Sequence, residues 1–295
     1  MFLENYLIGF KRYALNEKEI NPSTTRDIVN AIKRLDAFAN VDSLKKLNTL
    51  LIRDYLYTQK EQRCWAARTF RNQRQYIKIF FNFCVTHGYI KRNPVDKIER
   101  PRCPKVLPRF LTTEQVHVIL TDIELHNWRF TLEKHRNKAI IYTLLYTGIR
   151  LNELVHLQLN DIDLVEKEII IKKGKGRKER MIPIHIKLYP ILQSYLSYRK
   201  QYGKPSFWFF YSLRGDHQMT KRSVQLLCQR ISKRVGIKFT PHQMRHTFAR
   251  NCTNAEIGLY KVKELMGHSS VATTEIYLSV AKKALKDSFC GVDLL

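Results

Sequence analysis

At 295 residues the chain is long for one compact domain and sufficient for two. Its 52 Lys+Arg against 26 Asp+Glu give a formal net charge of +26, a self-repulsion that a polyanion would relieve, and nucleic acid is the first such partner to consider. No apolar run approaches the ~20 residues of a membrane-spanning helix, the opening Met1-Phe2-Leu3-Glu4-Asn5-Tyr6 does not read as a signal peptide, and six scattered cysteines with no C-x-x-C pair argue against a disulfide framework or a zinc site.

From the N-terminus to about residue 90 the pattern is helical. Ile28, Ile32, Leu35 and Phe38 recur at helical spacing after Pro22-Ser23, a helix start. A second run through Tyr76, Ile77, Phe80, Phe81 and Cys84 reaches Gly88, a residue suited to follow a helix end. Between these runs stand Arg63, Arg68, Arg71, Arg74 and Lys78 with few acidic residues near them. A solvated helix face is the ordinary explanation of such charges, but the scarcity of acidic partners favours a DNA-facing surface. Residues 94–109 contain Pro94, Pro101, Pro104 and Pro108 with basic residues between them. Proline at that density forbids regular helix or internal strand, so an extended basic tether is expected, separating domains 1–93 and 110–295.

The second domain opens on Thr112–Gln115, a capping box before Val116, Ile119 and Leu120. A helix follows through Ala139-Ile140-Ile141 and Leu144-Leu145, and Thr147-Gly148-Ile149-Arg150 marks its junction with the next. Glu153 lies one helical turn after Arg150, able to orient its guanidinium, although an Arg-x-x-Glu pair is also common on surfaces. Glu168–Ile171 and Met181–Ile184 flank Gly174-Lys175-Gly176-Arg177-Lys178, a hairpin with a basic tip. Taken alone, that tip reads as a solvated turn; it is not a Walker motif. Trp208–Tyr211 could form one more strand, and helices return after Thr220. Thr240-Pro241 starts a helix that places His242 and Arg245 on one face. Gly267 should end a further helix, with Ser269 or Ser270 capping the next, and Tyr277 comes nine residues after His268.

Cleaving DNA without a metal requires a nucleophile, cations on the non-bridging phosphate oxygens and a proton for the leaving 5′-oxygen. Arginine suits the second task because its planar fork matches two phosphate oxygens. Lysine or histidine suits the third. Tyrosine can attack if a cationic or basic setting offsets its pKa near ~10. No Asp/Glu cluster suggests a metal and no nucleotide motif is present, so no cofactor is expected.

Arg150 with Glu153, the Gly-Lys-Gly hairpin, His242-x-x-Arg245-His246-x-Phe248-Ala249, Leu265-Met266-Gly267-His268-Ser269 and Thr273-Thr274-Glu275-Ile276-Tyr277 resemble, in order and spacing, the motifs of the tyrosine recombinases. That family includes phage integrases, Xer recombinases and transposon integrases. The resemblance covers nearly the whole chain. It implies a mainly α fold with a small β-sheet: a helical, SAM-like core-binding domain and an α/β catalytic domain that together clamp DNA. It further implies that Arg150 and Arg245 hold the scissile phosphate, Lys175 protonates the leaving oxygen, His242 and His268 assist, and Tyr277 forms a 3′-phosphotyrosine. Glu153 would hold Arg150, His246 would support the site indirectly, and Arg177, Lys178 and Arg180 would reach backbone phosphate. The implied partner is double-stranded DNA with paired half-sites, bound by a dimer per site and a tetramer in synapsis. The tail from Lys282 to Leu295, anchored by Phe289, would join the protomers. The expected setting is the cytoplasm, on the nucleoid. A simple Xer-like or mobile-element enzyme fits best. The alternatives are a non-cutting relative, which would form no covalent adduct, and a type IB topoisomerase, which would relax DNA without sequence dependence. An RNA-binding module lacks its aromatic sheet platform.

Overall fold

The computed structural model describes residues 2–104, 108–172, 179–215 and 217–267. The chain divides into two compact units, residues 1–106 and 107–295. Lys175, Arg177 and Lys178, His268 and Tyr277, the expected cap at Ser269 or Ser270, and the tail with Phe289 lie outside the described residues.

The first unit is built from helices α1 (Glu4–Arg12), α2 (Pro22–Ala39), α3 (Thr49–Gln62) and α4 (Ala67–Thr86). α2 begins where the sequence indicates. Pro22 occupies the first turn, the Asn21 side chain accepts the Ser23 N–H at 2.9 Å, and the helix closes at Asn40 in the left-handed region. Asn48 caps α3 in the same way, accepting from the Leu51 N–H at 3.0 Å. On α4 the buried stripe is Phe70, Ile77, Phe80, Phe81 and Cys84, and Gly88 follows the helix end at φ +71°. The stripe packs against Ile28, Ile32 and Leu35 of α2. Phe10 meets Phe80 and Phe83 edge-on at centroid distances of 5.7 and 5.6 Å, the geometry that aromatic quadrupoles prefer.

Two expectations for this region are corrected. Arg74 is 3 % exposed and donates through Nε to the Ile98 carbonyl at 2.6 Å and through Nη2 to the Val95 carbonyl at 2.9 Å. It satisfies backbone acceptors inside the unit rather than facing DNA. Val95 and Ile98 are themselves buried in the first core. Residues 94–98 are therefore packed structure, because Arg74 supplies the donors that turn residues there would otherwise take from water.

In the second unit α5 (Thr113–Leu125) starts with the expected capping box: Thr112 Oγ1 accepts from Gln115 N–H at 3.2 Å and Gln115 Oε1 accepts from Thr112 N–H at 3.0 Å. α6 (Thr131–Thr147) buries Ala139, Ile140, Ile141, Leu144 and Leu145 and is packed by α8 (Tyr189–Tyr202) and α10 (Pro241–Asn254). A helix apolar on most sides belongs inside a domain. α7 (Leu151–Val155), α9 (Lys221–Val235) and α11 (Leu259–Met266) are the other α-helices among the described residues of this unit.

The sheet is a three-stranded antiparallel meander of β1 (Ile162–Asp163), β2 (Glu168–Ile171) and β3 (Arg180–Pro183). β2 and β3 pair as the hairpin reading requires, with Glu168 opposite Pro183 and Ile171 opposite Arg180. Arg180 and Ile182 point inward while Met181 and Pro183 face out. The aromatic run Trp208–Tyr211 makes only isolated bridges, Gln158 with Trp208 and Tyr211 with Gln218. Three of its four carbonyls are taken by side chains, those of Trp208, Phe209 and Tyr211, while Phe210 O accepts the Met219 backbone N–H at 3.4 Å. The guanidinium of buried Arg199 binds the Ser206, Trp208 and Phe209 carbonyls, and Tyr195 Oη donates to Phe209 O at 2.8 Å.

Candidate active site

The site is assembled at the C-terminal end of α11. A helix leaves its last carbonyls without intrahelical partners and carries its negative dipole end there. Here three guanidiniums from three separate segments take three consecutive carbonyls. Arg180 Nε, from β3, donates to Leu265 O at 2.9 Å. Arg245 Nη2, from α10, donates to Met266 O at 2.7 Å. Arg150 Nη2, from the N-cap of α7, donates to Gly267 O at 2.7 Å. The next residue in the chain is His268.

Each arginine is held from behind as well. α6 ends at Gly148, in the left-handed region at φ +58°, and the Gly148 carbonyl accepts from Arg245 Nη1. Arg245 lies one turn into α10, whose start is fixed by Pro241 and by Thr240 Oγ1 accepting the Gln243 N–H at 3.2 Å. Glu153 organises the other two. Its carboxylate accepts from Arg150 Nη1 at 3.0 Å and from the Arg150 N–H at 2.9 Å. It also accepts both terminal nitrogens of Arg180, at 3.0 and 2.7 Å, a bidentate pair. Burial raises the Glu153 pKa, but hydrogen bonds and charge from Arg180, then Arg150, more than reverse this and hold it at about 2. Glu153 is thus a fixed anion between two fixed cations.

The arginines differ in exposure. Arg245 is 5 % exposed, whereas the Arg150 side chain is 39 % exposed and can meet a ligand. Beside Arg245 on the same helix, the His242 and His246 rings pack edge-on with centroids 4.2 Å apart. Burial and then the neighbouring His242 and Arg245 depress the His246 pKa to about 4; burial and Arg245 lower that of His242. With pKa values held below the ordinary 6.5, both imidazoles are neutral near pH 7. Among the described residues no group of three His, Cys, Asp or Glu is placed to hold a metal ion.

The structure therefore brings Arg150, Glu153, His242, Arg245 and His246 to one region and corrects Arg180. The family resemblance implies that this residue reaches backbone phosphate, yet its side chain is 6 % exposed and donates to Glu153 and the Leu265 carbonyl. The sequence did carry a signal for this, because Arg180 is in phase with buried Ile182 on a two-residue alternation. In the first unit Arg68 and Arg71 line a cavity of about 410 Å³ with Asn72, Gln75, Arg100 and Cys103. Lys78 instead pairs with Asp96 at 2.5 Å.

Residues 109–284 match the model of the phage integrase family. The chain belongs to that family. A tyrosine recombinase XerC of Haemophilus ducreyi is 30 % identical over 88 % of this chain and 85 % of its own length. A tyrosine recombinase XerA of Pyrococcus furiosus is 32 % identical over 78 % of this chain and 76 % of its own length. Among solved structures, a XerH site-specific recombinase bound to its palindromic DNA substrate superposes with a TM-score of 0.76 at 20 % identity, over 96 % of this chain and 83 % of that one. A lambda integrase dimer on a core site gives 0.72 at 19 % identity, over 94 % and 93 %. These two likenesses concern the fold, mainly helical with a small sheet. The arginines, Glu153 and the two histidines thus lie within the segment that defines the phage integrase family.

Proposed function

We propose that the protein is a site-specific recombinase that cleaves and rejoins double-stranded DNA through a phosphotyrosine at Tyr277, without metal or ATP. One observation supports this above the others: Arg150 and Arg245, ninety-five residues apart in sequence, converge on the adjacent carbonyls of Gly267 and Met266, immediately before His268. In this reading the two guanidiniums bind the non-bridging oxygens of the scissile phosphate, where negative charge accumulates in the transition state. The Tyr277 hydroxyl oxygen attacks phosphorus and gives up its proton to a neutral imidazole. The bond to the 5′-oxygen breaks, and Lys175 supplies the proton that oxygen needs. Reversal by an incoming 5′-hydroxyl releases Tyr277 and reseals the strand, so the bond energy is conserved. His242 and His268 assist proton movement and phosphate binding. Arg68 and Arg71 of the first unit, and Arg177 and Lys178 of the hairpin tip, are assigned to backbone phosphates.

Two protomers bind paired half-sites and a tetramer forms in synapsis, through the tail carrying Phe289; the setting is the cytoplasm, on the nucleoid. The chemical test is a nicked suicide substrate carrying the bound site. A covalent protein–DNA adduct that Tyr277→Phe abolishes supports the reading. No adduct from the unaltered protein on a site it binds overturns it. Deleting residues 286–295 should weaken cooperative occupation of paired half-sites in a gel-shift titration, and unchanged cooperativity would count against the tail as the link.

A further inference from the structure

We infer that Arg180 is a positioning residue for strand cleavage: through Glu153 it sets the direction of the Arg150 guanidinium, and through Leu265 it locks the strand that leads out of the hairpin to the end of α11.

This goes beyond the recombinase reading and rests on it. Among the described residues Arg180 makes three hydrogen bonds: two to Glu153, at 3.0 and 2.7 Å, and one to the Leu265 carbonyl at 2.9 Å. Glu153 in turn accepts from the backbone and the guanidinium of Arg150. A carboxylate on a side chain with three rotatable bonds can turn toward either arginine. Bidentate pairing to a rigid fork removes that freedom, so Glu153 presents a fixed edge to Arg150. Arg150 itself is the more exposed of the two phosphate arginines. It therefore depends more on this support than Arg245, which burial already holds.

The same guanidinium is packed at close quarters. A β-carbon placed on Gly267 would stand 2.8 Å from Arg180 Nη1 and 3.1 Å from its Cδ and Cζ. The turn after α11 has room for Arg180 only because position 267 is glycine, at φ +61°. Arg180 is also the first residue of β3, paired with Ile171 across the hairpin. One side chain thus joins three parts of the site: the hairpin strand, the first turn of α7 and the exit of α11. A displacement of any of them is transmitted to Arg150 as a rotation of Glu153.

The test uses the full-length protein and its bound site. Single-turnover adduct formation on a suicide substrate is measured beside half-site affinity and thermal unfolding, for Arg180→Lys, Glu153→Gln and the double variant. Lysine keeps the charge but cannot grip both carboxylate oxygens and a carbonyl together. The expected result is a cleavage rate lowered by about 10²-fold with affinity changed by less than about threefold, as for misplacement of a group that acts only in the transition state. The double variant should be no slower than either single one, because both break one chain of contacts. Should Arg180→Lys fail to fold, Glu153→Gln, which leaves both arginines in place, must still lower the rate without lowering affinity. Unaltered cleavage by either folded variant, or additive losses in the double variant, overturns the proposal. If the unaltered protein forms no adduct on its bound site, it is the recombinase reading that has failed.

Discussion

The ring of Phe248 fills the space that a β-carbon on Gly148 would need: its Cδ1 lies 2.3 Å from that position. Gly148 also holds φ +58° and offers its carbonyl to Arg245. Sterics, backbone conformation and the placement of Arg245, the arginine proposed to bind the scissile phosphate, meet at one residue. Gly148→Ala should therefore cost ~2–4 kcal/mol, combining left-handed strain with overpacking. Differential scanning calorimetry reads the stability loss. Adduct formation should drop in the fraction that still folds, since Arg245 loses its acceptor geometry.

Arg71 and Arg74 stand one helical turn apart on α4 and should behave oppositely. Arg71 lines the open basic cavity, whereas Arg74 is buried against the Val95 and Ile98 carbonyls. Arg71→Ala should reduce the slope of log affinity against log salt by about 1, the signature of one lost phosphate contact. Arg74→Ala should leave that slope unchanged and destabilise the protein by ~2–4 kcal/mol, because buried carbonyls lose their donors. Salt titrations of DNA binding and urea melts separate the two effects.

Acid should weaken the fold in two steps with the same sign. The unfolded chain protonates histidine near 6.5, but His246 resists protonation until about 4, so stability falls as pH drops through that window and is intact above it. His242 is shifted in the same direction. Glu153 titrates at about 2 against an ordinary 4.5, so its stabilisation is present above 4.5 and is lost toward pH 2. Urea unfolding measured from pH 8 to pH 2 should show both steps. His246→Gln should make the upper one shallower and leave the lower one.

Arg199→Lys is the fourth case. Arg199 is 7 % exposed and donates to the Ser206, Trp208 and Phe209 carbonyls. Lysine conserves the charge but not the fork, and the loss should be ~2–4 kcal/mol by thermal melt. A change under ~1 kcal/mol would show that these carbonyls find other donors.

Local punctuation was the most legible part of the sequence. The Thr112–Gln115 capping box, the proline after Thr240, the pairing of Glu168–Ile171 with the strand around Ile182, and the glycines at 88, 148 and 267 are all where the pattern put them. These features depend on residues near each other in sequence, so their physics is visible there. The duty of each arginine was less legible. Arg68, Arg71 and Arg74 look alike in composition, and only phase distinguishes them. Arg74 lies between Phe70 and Ile77 on the apolar stripe of α4, as Arg199 follows Leu192 and Tyr195 on α8 and Arg180 precedes Ile182 on β3. Each of these arginines keeps the phase of the apolar stripe it interrupts. Their acceptors are backbone carbonyls, which every residue has, so no partner type stood out in the sequence. The convergence of Arg150, Arg180 and Arg245 on α11 was illegible for the same reason, apart from what the family resemblance implied.

Five arginines among the described residues, at 74, 136, 180, 199 and 245, are buried. In the contacts described they hold backbone oxygens, a carboxylate or, for Arg136, also the Asn137 side-chain amide, much as a cross-link holds two strands. The same letter therefore does two jobs in this chain. Some copies face outward, as Arg68 and Arg71 do, where lysine would offer a polyanion the same charge. Others are internal rivets, for which the planar fork of donors matters as much as the charge. A chain rewritten with every arginine as lysine would keep its net charge of +26 and its isoelectric class, yet lose the fasteners that give the domains their form.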